Sequence, residues 1–138
     1  MEFNIVEWTG VGWTEIEWEW FCRGGEVAIE QGTFDYKYSG SDNIDEVAWY
    51  AENSNYLIQD VGLKKPNQLG LYDCSGNIWE WCYDTTEGIE SGKSYVYKAY
   101  DHSNVYRRLK GGSWCNNTEV CAVAVRGNSQ ATYAYSNA

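Results

Sequence analysis

Aromatic side chains constrain this chain more than any other feature. Its 138 residues include 8 Trp and 12 Tyr, and aromatic residues make up 17% of the sequence. Disordered segments are poor in aromatic residues, whereas Trp and Tyr bury large areas and keep a polar group for hydrogen bonds. A chain of this length buries roughly 68% of its unfolded surface, which is enough for one core. We therefore expect a single domain, residues 1–138, with a core of aromatic side chains crossed by loops.

Charge is distributed unevenly and excludes some functions. Residues 1–60 hold 13 acidic and 2 basic side chains, whereas residues 61–138 hold 7 and 8. Nucleic-acid binding is not expected, because phosphate contacts need a basic surface. The acidic half is interpreted either as a solvated face or as a cation site. No apolar run approaches the ~20 residues that cross a bilayer, so no membrane insertion is expected. The N-terminus shows no signal peptide pattern.

Cysteine usage argues against a zinc site. The number of cysteines is odd, so at least one thiol stays free. The chain has one histidine, His102, and no Cys-x-x-Cys pair, which excludes a histidine-rich zinc site and makes other zinc sites improbable. The cysteines are Cys22, Cys74, Cys82, Cys115 and Cys121.

Local patterns predict one helix and several short strands. Thr14 to Glu17 forms a capping-box pattern, which predicts a helix over 14–22 that ends at Gly24-Gly25. Residues 30–43 are rich in turn residues and are predicted to be a loop. Together these patterns indicate an α+β fold with many loops. Strands are predicted over Ile78–Cys82, over Arg107–Trp114 with a break at the glycine pair, and over Val120–Val125.

Four segments resemble one family. Leu69–Cys82 contains Gly-Leu-Tyr-Asp-x-x-Gly-Asn-x-Trp-Glu-Trp, and Leu109–Trp114 reads Leu-Lys-Gly-Gly-Ser-Trp. Thr14–Gly25 and Ser39–Tyr50 add two further matches in the same order. These motifs resemble the formylglycine-generating enzyme, or sulfatase-modifying factor, domains. The resemblance implies a C-type-lectin-like fold of the formylglycine-generating-enzyme subtype.

The resemblance also implies a partial domain. The matched motifs span about residues 12–126 and correspond to the second half of a family domain. The family's N-terminal half and its closing Gly-Phe-Arg strand have no counterpart in the sequence. We therefore expect residues 1–138 to be one incomplete sulfatase-modifying-factor-like domain.

The resemblance raises the question of catalysis. Active members oxidise a substrate cysteine to formylglycine with O2 and a Cu(I)-binding cysteine pair. Cys121 matches the second catalytic position, but Asn116 occupies the first, and Cys115 lies one residue earlier. A shift of one residue along a strand turns a side chain to the opposite face. We expect a non-catalytic domain; the alternatives are a copper-dependent oxidase of sulfatase cysteines that uses Cys115 and Cys121, or a non-functional fragment of one.

A second hypothesis concerns the C-terminal tail. One branch of the family resembles the variable proteins of diversity-generating retroelements, whose ligand contacts follow the Gly-Gly-Ser-Trp motif. In residues 122–138 only Gln130 falls outside the set that pyrimidine-ending codons encode. An ordinary surface loop is the alternative, since loops favour the same residues. The ligand would be an unknown protein or surface. The candidate ligand-binding residues are Asn116, Asn117, Asn128, Ser129, Tyr133, Tyr135, Ser136 and Asn137.

The resemblance also implies a calcium site. Some family members bind calcium through the Asp-x-x-Gly-Asn-x-Trp-Glu segment. Carried over, Asp73 and Glu80 supply carboxylates, and Gly76 and Ile78 supply backbone carbonyls. Such oxygen ligands suit Ca²⁺. The alternative is that Asp73 caps a turn and Glu80 pairs within the core.

Overall fold

A computed structural model describes residues 13–85 and 106–130. Its helices and strands are short, and loops connect them, so the α+β prediction is confirmed. In chain order the elements are α1 (Glu15–Cys22), α2 (Gly25–Gln31), α3 (Ile44–Val47), β1 (Glu80–Thr85), β2 (Tyr106–Lys110) and β3 (Gly127–Gln130).

The capping box at the start of α1 is present as predicted. The Thr14 hydroxyl accepts a hydrogen bond from the Glu17 amide at 3.2 Å, and the Glu17 carboxylate accepts one from the Thr14 amide at 3.3 Å. Both bonds satisfy amides that have no partner within the helix. Trp18 and Cys22 lie one turn apart and are both buried, so α1 faces the core with this side.

The glycine pair after α1 connects two helices. Gly24 adopts a left-handed conformation with φ of 90°, and α2 begins at the next residue. The predicted end of the first helix at the glycine pair is confirmed, because α1 ends at Cys22. The loop predicted over residues 30–43 is wrong for its first two residues, because α2 reaches Gln31. Glycine adopts a positive φ at little cost, so the chain turns here and immediately starts a new helix.

The three strands form an antiparallel sheet in the order β1-β2-β3. Glu80 pairs with Lys110 across β1 and β2, and Arg108 pairs with Asn128 across β2 and β3. The predicted strand over Ile78–Cys82 begins only at Glu80, because the Ile78 amide donates to the Gly76 carbonyl in a turn.

The strand predicted over Val120–Val125 is wrong. The segment folds as consecutive turns, in which the Val125 amide donates to the Ala122 carbonyl. The Val123 amide donates instead to the Lys37 carbonyl in a distant loop. Val123 and Cys121 are buried because this turn packs inside the molecule, so their apolar character reflects burial and not strand formation.

The core consists of two clusters of buried side chains. One joins Tyr38, Ile44, Val47, Ala48, Tyr50, Cys121 and Ala122, and the other joins Trp18, Cys22, Cys74, Cys82 and Val123. Trp18 and Trp81 are buried, while Trp20 is exposed. Among the described residues, no helix is both long and apolar enough to cross a membrane.

Candidate functional site

The segment after the Gly-Gly-Ser-Trp motif is a tight turn closed by Asn116. The Asn116 side-chain oxygen accepts hydrogen bonds from the Ser113 amide at 2.9 Å and from the Ser113 hydroxyl at 2.7 Å. The Asn116 amide donates to the Ser113 carbonyl at 3.1 Å, and the Asn116 carbonyl accepts from the Ala51 amide. Asn116, which the resemblance places at the first catalytic position, therefore holds the turn together.

The two candidate catalytic cysteines contact different atoms of Ser113. The exposed Cys115 has its sulfur 3.4 Å from the Ser113 hydroxyl, whereas the buried Cys121 has its sulfur 3.9 Å from the Ser113 carbonyl. Burial raises the pKa of the Cys121 thiol to about 11. Gly112 packs against this thiol so closely that a Cβ there would lie 2.8 Å from the sulfur. The thiolate is the form that binds metals, whereas the Cys121 thiol is enclosed and its pKa is raised. Cys121 therefore has the environment of a core residue.

The described candidate ligand-binding residues lie on the turn and on β3. Asn117 is exposed, and its side-chain oxygen accepts from the Val120 amide at 3.1 Å. Asn128 is exposed on β3, next to the half-buried Ser129, and these residues pair with Arg108 and Arg107 of β2. The remaining candidates, Tyr133, Tyr135, Ser136 and Asn137, lie outside the described residues.

A group of charged side chains forms ion pairs between α1 and the sheet. Arg126, immediately before β3, forms an ion pair with the buried carboxylate of Glu15. The fully buried ammonium group of Lys110 lies 3.4 Å from the Glu19 carboxylate and 3.9 Å from that of Glu15. The Glu15 amide donates to the Asp84 carboxylate at 2.5 Å. No sequence pattern indicates this group, because its members are close only after the helix packs on the sheet.

The segment predicted to bind calcium contains two carboxyl groups with little access to water. One Asp73 oxygen accepts from the Gly62 amide at 2.8 Å, and the other is buried without a hydrogen-bond partner. Glu80 is buried and accepts from the Trp18 indole N–H at 2.5 Å. Ile78 is half-buried, and its amide donates to the Gly76 carbonyl at 2.9 Å.

The electrostatics of this segment fit a cation. Burial raises the pKa of Asp73 and raises that of Glu80 well above its ordinary value, and the neighbouring Cys74 and Asp73 charges raise the pKa of Glu80 further. A bound cation would stabilise both carboxylates. Within residues 13–85 and 106–130, no group of three or more His, Cys, Asp or Glu side chains could hold a metal. Backbone carbonyls would have to complete the ligand set, as they commonly do for Ca²⁺.

Comparison with known proteins shows the family of this chain. Residues 11–138 match the sulfatase-modifying factor enzyme 1-like domain. The chain belongs to this family. The chaperone protein LppX of Paenibacillus barcinonensis is 32% identical over an alignment 135 residues long. The match covers 86% of this chain and 43% of that protein. The formylglycine-generating enzyme of Thermomonospora curvata is 29% identical over 137 residues, which cover 79% of this chain and 42% of the enzyme.

Solved structures confirm the formylglycine-generating-enzyme subtype of the C-type-lectin-like fold. Treponema denticola variable protein 1 is 38% identical with a TM-score of 0.67, over 86% of this chain and 41% of that one. CarF is 28% identical with a TM-score of 0.70, over 88% of this chain and 41% of that one. PvdO of Pseudomonas aeruginosa, at 20% identity and a TM-score of 0.63, shows the fold alone. This chain thus spans about two-fifths of the length of these relatives.

Proposed function

We propose that this domain is a non-catalytic ligand-binding module of the formylglycine-generating-enzyme family. One observation carries the proposal: the residue at the first catalytic position, Asn116, uses its side-chain oxygen to close the Ser113 turn. An asparagine cannot supply the thiolate that Cu(I) prefers. The second position, Cys121, holds a buried thiol whose pKa of about 11 keeps it protonated.

The proposed binding surface is formed by the turn after Trp114, by β3 and by the tail that follows. Asn117 and Asn128 expose adaptable hydrogen-bonding groups. Tyr133 and Tyr135 in the tail would add rigid contact area at low entropic cost, as tyrosines do in antibody paratopes. The similarity to Treponema denticola variable protein 1 supports a variable surface. The ligand would be a protein or another macromolecular surface.

The gene provides the test of this surface. If the tail is diversified at adenines in codons that end in a pyrimidine, then Ala124, Gly127, Ala131, Ala134 and Ala138 should have pyrimidine-ending codons. A near-copy of this stretch should lie beside a reverse-transcriptase gene. Purines at the third base of several of these codons would contradict the proposal. The buried Ala122 and Val123 serve as comparison positions, since the core restricts their variation.

The second candidate function is a copper-dependent oxidase that generates formylglycine on a sulfatase cysteine. The observation that favours it is the position of Cys115 and Cys121 around the same serine. The similarity to formylglycine-generating enzymes also supports it. If copper binds here, these two thiols would hold it, and the copper would supply the chemistry that activates O2.

We also propose that calcium binds at Asp73 and Glu80, with backbone carbonyls of Gly76 and Ile78 as further ligands. The buried Asp73 oxygen, which has no hydrogen-bond partner among the described residues, supports this proposal. Thermal unfolding of the chelator-treated protein should shift to higher temperature when millimolar Ca²⁺ is added. Asp73→Asn should remove the shift, whereas Asp60→Asn, at an exposed acid outside the segment, should keep it. Equal unfolding temperatures with and without Ca²⁺ would contradict calcium binding.

A further inference from the structure

The loop that follows α3 contains a strained pair of residues. Asn55 and Tyr56 are consecutive, neither is glycine, and both adopt left-handed conformations with φ of 60° and 55°. A left-handed conformation is unfavourable for residues with a side chain, and more so for tyrosine than for asparagine. It persists only where surrounding contacts impose it, and such strain clusters at functional sites.

Hydrogen bonds hold this loop at both ends. The fully buried Ser54 donates its hydroxyl to the Trp114 carbonyl at 2.7 Å and accepts from the Tyr56 amide at 3.1 Å. At the other end, the Gln59 amide donates to the Asn77 side chain, which donates back to the Gln59 carbonyl, both at 3.0 Å. The loop is thus fixed before any ligand arrives, which lowers the entropic cost of binding.

The rigid loop displays three apolar side chains to solvent. Tyr56, Leu57 and Ile58, here called the apolar loop, are 64%, 63% and 49% exposed. The Tyr56 ring packs edge-on against Trp114, with ring centroids 6.5 Å apart. Exposed apolar side chains that occur together, and not singly, are candidates for an interaction surface.

The apolar loop borders the proposed ligand-binding turn. The Ser54 hydroxyl bonds to Trp114, and the Ala51 amide donates to the Asn116 carbonyl at 2.9 Å, so the two segments are attached side by side. Tyr56 and the turn therefore lie where one ligand could contact both.

The charges around the apolar loop define its partner. Residues 51–63 contain the exposed acids Glu52 and Asp60 and no Lys or Arg. The next basic residue, Lys64, donates to the Asp45 carbonyl at 2.7 Å and stacks over the Trp49 ring. An apolar centre with an acidic edge is complementary to an apolar side chain flanked by basic residues.

We propose that Tyr56, Leu57 and Ile58 form a fixed apolar anchor of the ligand-binding face, and that its ligand is a protein segment presenting an apolar side chain beside lysine or arginine. This inference rests on the proposed binding function and adds to it a contact outside the C-terminal tail. Buried aromatic and aliphatic anchors supply most of the affinity at protein interfaces, and the charged edge adds specificity.

The test uses the full chain and a phage-displayed random peptide library as the probe. Enriched peptides should carry an aromatic or aliphatic residue next to Lys or Arg, and their binding should weaken as salt is added. The double substitution Tyr56→Ser with Leu57→Ser should reduce their affinity by about tenfold or more, the effect of removing an interface hot spot. The control, Ile16→Ser with Ile29→Ser, removes exposed apolar side chains of α1 and α2 and should leave the affinity unchanged.

Several outcomes would overturn the anchor. They are a library that yields no enriched peptide, peptides without basic residues, and equal affinity for the loop variant and the wild type. If the variant is unfolded by circular dichroism, hydrogen exchange on the wild type decides: the amides of the apolar loop must gain protection when the peptide is added. Peptides that lose affinity with Asn128→Ala but not with the loop variant would leave the binding function standing and reject the anchor alone.

Discussion

Among the described glycines, Gly76 has the least room for a side chain. A Cβ at this position would lie 2.2 Å from the Trp49 carbonyl oxygen. The adjacent Asn77 amide donates to that same carbonyl at 2.7 Å. The glycine of the Gly-Asn-x-Trp-Glu motif is therefore required for packing, because it lets the segment before β1 reach the loop after α3.

Replacing Gly76 by alanine tests this requirement. Gly62 has a similar φ, 77° against 75°, but a Cβ added there would meet no atom within 4 Å, so Gly62→Ala measures the conformational cost alone. That cost should be about 1–2 kcal/mol of unfolding free energy. Gly76→Ala should cost at least ~1 kcal/mol more, because the backbone must move to relieve the clash. Equal losses in urea unfolding would contradict the close approach.

Thiol reactivity should separate the five cysteines. Cys115 is exposed, whereas Cys22, Cys74, Cys82 and Cys121 are buried. With iodoacetamide near the ordinary thiol pKa of about 8.5, one cysteine should be modified in the folded protein, and peptide mass spectrometry should locate it at Cys115. Cys121 should stay unmodified as the pH rises towards about 11, because its thiol remains protonated and enclosed until then. Rapid modification of Cys121 in the folded protein would show that its thiol is accessible.

At the scale of elements, buried charges fasten α1 to the sheet. Lys110 ends β2 with a fully buried ammonium group, and its carboxylate neighbours Glu15 and Glu19 both belong to α1. Its ammonium group also lies 5.3 Å from the centre of the Trp18 ring. Removing Lys110 takes the buried cation away from both carboxylates, although Glu15 keeps Arg126 and Glu19 keeps Arg23. We therefore expect a loss at the lower end of the range for a broken buried pair.

Lys110→Met should therefore destabilise the protein by about 3 kcal/mol in denaturant unfolding. Lys37 provides the matched control, because it forms an exposed ion pair with Glu119 at 2.8 Å. Lys37→Met should change the unfolding free energy by less than about 1 kcal/mol, as is usual for surface pairs. Equal effects of the two substitutions would argue against a buried charge at Lys110.

The elements also show what the sequence could predict. α1 was predictable because its capping box is local, and residues three positions apart define it. α2 and the turns around Val123 were not, since a left-handed Gly24 and a hydrogen bond to the distant Lys37 carbonyl determine them. β3 depends on pairing with β2, and its own residues, Gly-Asn-Ser-Gln, have no strand pattern.

The candidate site was predictable only in part. Family motifs indicated Asp73, Glu80 and the segment after Trp114 as site residues. They did not reveal that Asn116 closes its own turn or that Ser54 fixes an apolar loop next to it. The second relation depends on a contact between residues 60 positions apart, which no local pattern encodes.

At the scale of the whole molecule, the described residues form two small core clusters and a three-stranded sheet, and turns and loops attach to this framework. The turn at Ser113, the apolar loop and β3 are each attached to this framework by hydrogen bonds or ion pairs. A rigid support with polar and apolar side chains at its surface suits binding, as variable loops on a fixed scaffold do elsewhere. If the domain is the proposed binding module, its cysteines should not form a copper centre.

A Cu(I) titration of the reduced protein against a competing chelator tests directly whether the cysteines form a copper centre. If the domain is non-catalytic, the wild type should bind copper no more tightly than the Cys121→Ser variant, and a peptide with a sulfatase cysteine should yield no formylglycine in the presence of copper and O2. Tight binding of one copper per chain would contradict a non-catalytic role if both Cys115→Ser and Cys121→Ser abolish it and if formylglycine forms in the peptide. That result would establish the oxidase.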